Sequence, residues 1–182
     1  MLDDLERWAA EALAREAADE RVRERWLRRQ TEDGATFSTL LLDLAEREAT
    51  VILATMAGQR HQGRITVVGA DFTALRTAVG HLTLLPFAWL STVVPGGEWS
   101  GAYTAGTPDD RPAPLDVMLA DALAEAAATR PRVSLRSGGS AVAGELRSMG
   151  ADLITLAVGE PRPRPTYVRL GSVSEVSFFE SG

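Results

Sequence analysis

The sequence predicts a mainly β protein with helices: two tandem five-stranded small barrels, each preceded by a helix, with a further helix at the N-terminus. Three observations carry this expectation. The chain repeats itself at a spacing of 81 residues. Each repeat opens with an amphipathic helical stretch. Each then breaks into short apolar runs punctuated by glycine, the pattern of many short strands rather than a few long ones.

The repeat is read from spaced residues. Gly58, Gly63, Gly69-Ala70-Asp71 and Leu75 fall on Gly139, Gly144, Gly150-Ala151-Asp152 and Leu156, every pair 81 apart. Further on, Leu90-Ser91-Thr92-Val93 matches Val173-Ser174-Glu175-Val176, where the spacing has grown to 83. The Pro161–Pro165 tract, with its three prolines, accounts for those two residues as a lengthened loop.

Residues 2–30 read as a long helix with a narrow apolar stripe of Leu2, Leu5, Ala9 and Ala12, continued by Val22 and Trp26. Its Asp19–Arg23 and Glu24–Arg28 pairs stand four apart, acid before base, which suits a solvated helical face better than a nucleic-acid arm. A second helix is expected near 37–47, with Leu40, Leu41 and Leu44 on one face. Five strands follow: Thr50–Thr55, Gly63–Val68, Phe72–Thr77, His81–Leu85 and Leu90–Val94, with turns at Ala57-Gly58-Gln59, Gly69-Ala70-Asp71 and Val79-Gly80. Gly63 inside a strand predicts a sharp bend. Short, evenly punctuated strands favour closure into a barrel, which leaves no exposed edge. The Gly/Pro/Asp-rich residues 96–112 read as a linker, and the second helix-plus-barrel unit starts near Pro114, a residue suited to a first helical turn. The expected organisation is an N-terminal helical segment (1–34), a first barrel (35–95), the linker (96–112) and a second barrel (113–182).

Composition narrows the chemistry. The 182 residues carry a net charge of −6 and no Cys, which excludes disulfides, thiolate metal sites and a Cys nucleophile. Two His, His61 and His81, stand twenty apart and offer no helical ligand pair, and each reads as an exposed strand residue. No G-x-S-x-G elbow is present. Asp109-Asp110 fits a helix N-terminus better than a metal site or a general base. No catalytic residue, metal or cofactor is therefore expected, and the chain is read as a non-enzyme. No apolar run reaches a membrane span of about 18 residues, and the acidic start Met1-Leu2-Asp3-Asp4 is not a signal peptide, so a cytoplasmic location is expected. All 19 basic residues are Arg, as GC-rich bacterial coding produces and as phosphate recognition would also favour.

The pattern of a helix, five bent strands, a Gly-x-apolar step in the second strand and a closing Leu90-Ser91-Thr92-Val93-Val94-Pro95 resembles the Sm-like (SH3-like barrel) family, and the closing run is similar to the end of the bacterial Hfq core. The similarity covers residues 36–95 and, more weakly, 113–180. It implies RNA as a ligand, bound by the loops after the second and fourth strands, and assembly by pairing the fourth strand of one barrel with the fifth of the next. Here the first loop holds Asp71 and Phe72 but Ala74 where the family carries Asn, and the second holds Pro86-Phe87-Ala88-Trp89 without the family's cation. The second repeat offers Leu170-Gly171-Ser172 there, again without one.

Candidate nucleic-acid contacts are Arg60, His61, Arg64, Phe72, Arg162 and Arg164. Phe72 has two readings, a base-stacking platform or a core residue, the latter favoured because Leu153 replaces it in the other repeat. Residues 35–95 carry four acids and four Arg, and 131–182 five acids and six Arg, so no segment is strongly basic. Candidate interaction residues are the apolar Phe87, Trp89 and Trp26. The sequence thus predicts a binding or assembly protein with RNA, a protein partner or another copy of itself as partner; a scaffold without nucleic-acid binding and a DNA-associated regulator are the alternatives.

Overall fold

The computed structural model describes residues 36–96 and 113–179. The expected N-terminal helix with Trp26, the linker beyond Gly96, and Asp109-Asp110 lie outside the described residues. No described helix is long and apolar enough to cross a membrane.

Helix α1 (Phe37–Glu46) leads into β1 (Thr50–Thr55), β2 (Arg60–Val68), β3 (Phe72–Thr77) and β4 (Leu82–Pro86). A 3-10 turn, Phe87–Trp89, then precedes β5 (Leu90–Pro95). Helix α2 (Leu119–Ala127) leads into β6 (Arg132–Ser137), β7 (Ser140–Met149), β8 (Leu153–Val158) and β9 (Arg164–Arg169). A second 3-10 turn, Leu170–Ser172, precedes β10 (Val173–Phe178). The alternation of buried and exposed residues along β1 and β2 follows the period of two that gives each strand an inner face.

The repeat is geometric as well as sequential. The ladder of β2 on β3 slips between Ile65 and Val67, and that of β7 on β8 slips between Leu146 and Ser148, 81 residues on. A Cβ on Gly63 would lie 2.3 Å from the Arg76 carbonyl oxygen, and one on Gly144 would lie 2.6 Å from that of Ala157. Both sites demand glycine because the facing strand is too close for any side chain. The Phe87 amide donates to the Asp71 carbonyl at 2.8 Å, and Leu170 donates to Asp152 at the same distance.

Two closed barrels are not what these strands build. All ten join one open antiparallel sheet in the order β5-β1-β2-β3-β4-β10-β6-β7-β8-β9. The outer edge of β4 is taken by β10, through Leu84↔Val176, Thr83↔Ser177 and Leu82↔Phe178. The expectation of closure treated each half as satisfying its own edges. Instead the first half gives its β4 edge to the second, and β5 and β9 are left at the two ends.

The cores follow the same logic. One apolar cluster, Leu41, Leu44, Val51, Leu53, Ile65, Leu75 and Leu85 among its members, lies within the first half. The other is built on the second half (Leu123, Leu135, Leu146, Ile154, Leu156, Val176) but also takes in Phe72, Ala74 and Leu84 from the first. Helix α2 starts five residues after Pro114, later than expected. The segment before it is held extended: Leu115 N–H donates to Val68, and Ala70 N–H donates to Val117. These partners belong to the other half and are invisible to local periodicity.

Candidate functional site

The residues that join the halves form two neighbouring features. The first is a polar cluster behind the β4–β10 pairing. Glu175 on β10 accepts from Arg136 Nε on β6 at 3.2 Å and from its own neighbour Ser177 at 2.8 Å. Thr83 on β4 lies within hydrogen-bonding distance of Ser177, 3.2 Å between hydroxyls. His61 on β2 brings Nε2 to 3.4 Å from Glu175 Oε2, yet that nitrogen is buried and makes no aligned hydrogen bond. His61 is therefore not the exposed strand residue expected. Burial pushes its imidazole below the ordinary histidine value; Glu175 pulls it back up and Arg136 pushes it down further. With His61 neutral, the cluster holds one guanidinium against one carboxylate and is balanced.

The second feature is a groove of roughly 510 Å³ lined from both halves by Asp71, Phe87, Trp89, Leu119, Asp152, Arg169 and Leu170, among others. It is built by the loops after the second and fourth strands of each repeat. Asp71 commits one carboxylate oxygen to the fold: Oδ1 accepts from the Leu119 amide at 2.7 Å, so it caps the start of α2 across the junction. The Trp89 indole N–H also crosses the junction, donating to the Gly171 carbonyl at 3.3 Å. Among the described residues the only cation in the lining is Arg169, which approaches Asp152 at 3.9 Å with both side chains exposed.

The sequence candidates separate accordingly. Phe87 and Trp89 meet in this groove, half-buried. Phe72 is 3% exposed and fills the second core, so its ring is not presented to a base. Arg60 and Arg64 lie on the exposed face of β2 while His61 between them points inward, so the three make no common patch. Arg162 and Arg164 are exposed at the turn into β9. The sequence reading missed Glu175, Arg136, Asp152 and Arg169. Asp152 had a signal, since it repeats Asp71; Glu175 and Arg136 had none, because only the fold places them beside His61. Among the described residues no cluster of three metal-ligating side chains occurs.

No protein-family model, curated protein or solved structure matches this chain.

Proposed function

We propose that this chain is a non-enzymatic assembly protein whose copies join edge to edge, β5 of one against β9 of the next. The observation that carries the reading is the internal junction. β4 is the fourth strand of its half and β10 the fifth of the other, and they pair directly. The two strands left at the ends are the remaining fifth (β5) and the remaining fourth (β9). A second use of the same junction therefore needs no new kind of contact. It is also the pairing that the Sm-like resemblance implies between neighbouring subunits. Such a head-to-tail contact closes into a ring if the rotation allows and otherwise grows a filament.

The register follows from the repeat. Val93 and Val94 correspond to Val176 and Ser177, while Tyr167 and Thr166 correspond to Leu84 and Thr83. Val93 of one copy then faces Tyr167 of the next, and Val94 faces Thr166. The third pair matches Pro95 with Pro165, which donate no hydrogen bond, so the ladder between copies is shorter than the one within the chain. Val94 and Tyr167 are exposed apolar residues on these two strands.

RNA is the ligand class the resemblance favours, but the first half's loop spends Asp71 on α2 and buries Phe72, which supports assembly over base recognition.

The chain has no cysteine of its own, which permits a clean cross-linking test. Oxidation of Val94→Cys/Thr166→Cys is expected to give covalent dimers and higher species. Light scattering of the wild type should show multiples of 19.5 kDa that rise with concentration. A strict monomer at high concentration, with no cross-link, overturns the reading.

A further inference from the structure

The hairpin of β2 and β3 carries a cleft of roughly 670 Å³ that the junction does not use, lined among others by Thr50, Gln62, Arg64, Thr66, Arg76 and Val79. Arg64 and Arg76 stand directly opposite each other in the ladder, and both are exposed. Like charges in that position repel. Little in the protein relieves them. Arg64 Nη1 reaches Glu48 only at 3.7 Å, and Arg76 Nη1 donates to the Gly80 carbonyl at 3.3 Å. Each guanidinium has five N–H donors, so most face the cleft or solvent without a protein acceptor. Among the described residues no acidic side chain lines the cleft.

The second half supplies the control. The same bend, at Gly144, forms a smaller cleft of roughly 390 Å³. There the positions of Arg64 and Arg76 are held by Glu145 and Ala157, which pair in the same way. Its lining carries two carboxylates, Glu145 and Glu160, beside Arg130 and Arg132, and Arg132 meets Glu160 at 2.9 Å. The shared fold makes the cleft; the described lining of the first carries two Arg and no acid, whereas that of the second carries two Arg and two Glu.

We infer that the first-half cleft binds an oxyanion carried on an apolar body, a phosphate monoester or a carboxylate, gripped between Arg64 and Arg76. Guanidinium pairs suit such groups because their planar forks match two oxygens at once. Val79 and Ala78, at the β3–β4 turn, give the apolar part a surface. This site is independent of the assembly reading.

Calorimetric titration of the full chain with phenyl phosphate, inorganic phosphate and benzoate tests it. Phenyl phosphate is expected to bind, and to bind more tightly than inorganic phosphate because the ring adds apolar contact. Binding by benzoate alone assigns the natural ligand to the carboxylates, and binding by phenyl phosphate alone to the phosphates. Arg64→Gln and Arg76→Gln should each weaken binding about tenfold. Their melting temperatures should not fall below the wild-type value, since both side chains are exposed and each substitution relieves a like-charge pair. Glu145→Gln, in the second cleft, should change nothing. The inference is overturned if none of the three probes binds at millimolar concentration, if inorganic phosphate binds as well as phenyl phosphate, if both Arg variants keep wild-type affinity, or if Glu145→Gln weakens binding as much as they do.

Discussion

Equivalent residues of the two repeats lie in opposite surroundings. Phe72 is 3% exposed and its counterpart Leu153 is 42% exposed; Leu84 is 5% exposed and its counterpart Tyr167 is 63% exposed. Asp71 caps a helix, whereas Asp152 has only a loose, exposed partner in Arg169. The strand pairing at these sites is equivalent. What differs is that the first repeat has a neighbour on its β4 side and the second, among the described residues, has none on its β9 side. Burial here is a property of position in a series and not of the repeat itself.

Truncation at paired positions breaks or sharpens that comparison most strongly. Phe72→Ala should cost about 3–5 kcal/mol, because it empties a site shared by both halves, while Leu153→Ala should stay within about 0.5 kcal/mol. Urea denaturation of the two variants checks this. Equal losses would mean that the halves are packed alike and that the junction adds nothing to Phe72.

The capping pair should show a smaller contrast. Asp71→Ala removes the carboxylate from the Leu119 amide and should cost about 1 kcal/mol, whereas Asp152→Ala should be silent in dilute monomer. Hydrogen exchange at the Leu119 amide gives the local readout: faster in Asp71→Ala, unchanged in Asp152→Ala.

The smallest effect is the pH dependence of the junction. Because the His61 imidazole titrates below its unfolded value in the folded chain, the folded state binds fewer protons there. Its contribution is complete above the unfolded value of about 6.5 and is lost as pH falls through the lower folded value. Glu175 and Arg136 are the charged groups that face it. The wild type should therefore lose more stability than His61→Gln between about pH 7.5 and about pH 5.5. Parallel losses in the two proteins would remove His61 from the account.

Much of each half was legible locally. β1 and β3 occupy the residues expected of them, Thr50–Thr55 and Phe72–Thr77, and α1 ends one residue short of expectation. A bend is expected at Gly63, and what the structure shows there is a close approach of the Arg76 carbonyl that leaves no room for a side chain. The joining of the halves was not legible. A strand that closes its own barrel and one that pairs with a distant β10 have the same composition, since either way one edge and one face are covered. The start of α2 was misplaced because its cap, Asp71, lies 48 residues earlier. The surroundings of His61 were not legible because the charged groups that face it, Glu175 and Arg136, lie on the other half. Arg76 was not legible as the partner of Arg64, because a straight count from Val68↔Thr73 sets Thr77 there and only the slip between Ile65 and Val67 brings Arg76 opposite.

The β4–β10 pairing also fixes an order of events. Thr83 and Ser177 stand 94 residues apart, so the bond between them can close only after β10 has emerged. Until β10 arrives, β4 is an open edge with Leu82 and Leu84 along it, and Phe72 lacks much of its cover. A nascent first half is thus a template for any passing strand, and the second half acts in cis as the stopper that reaches it first.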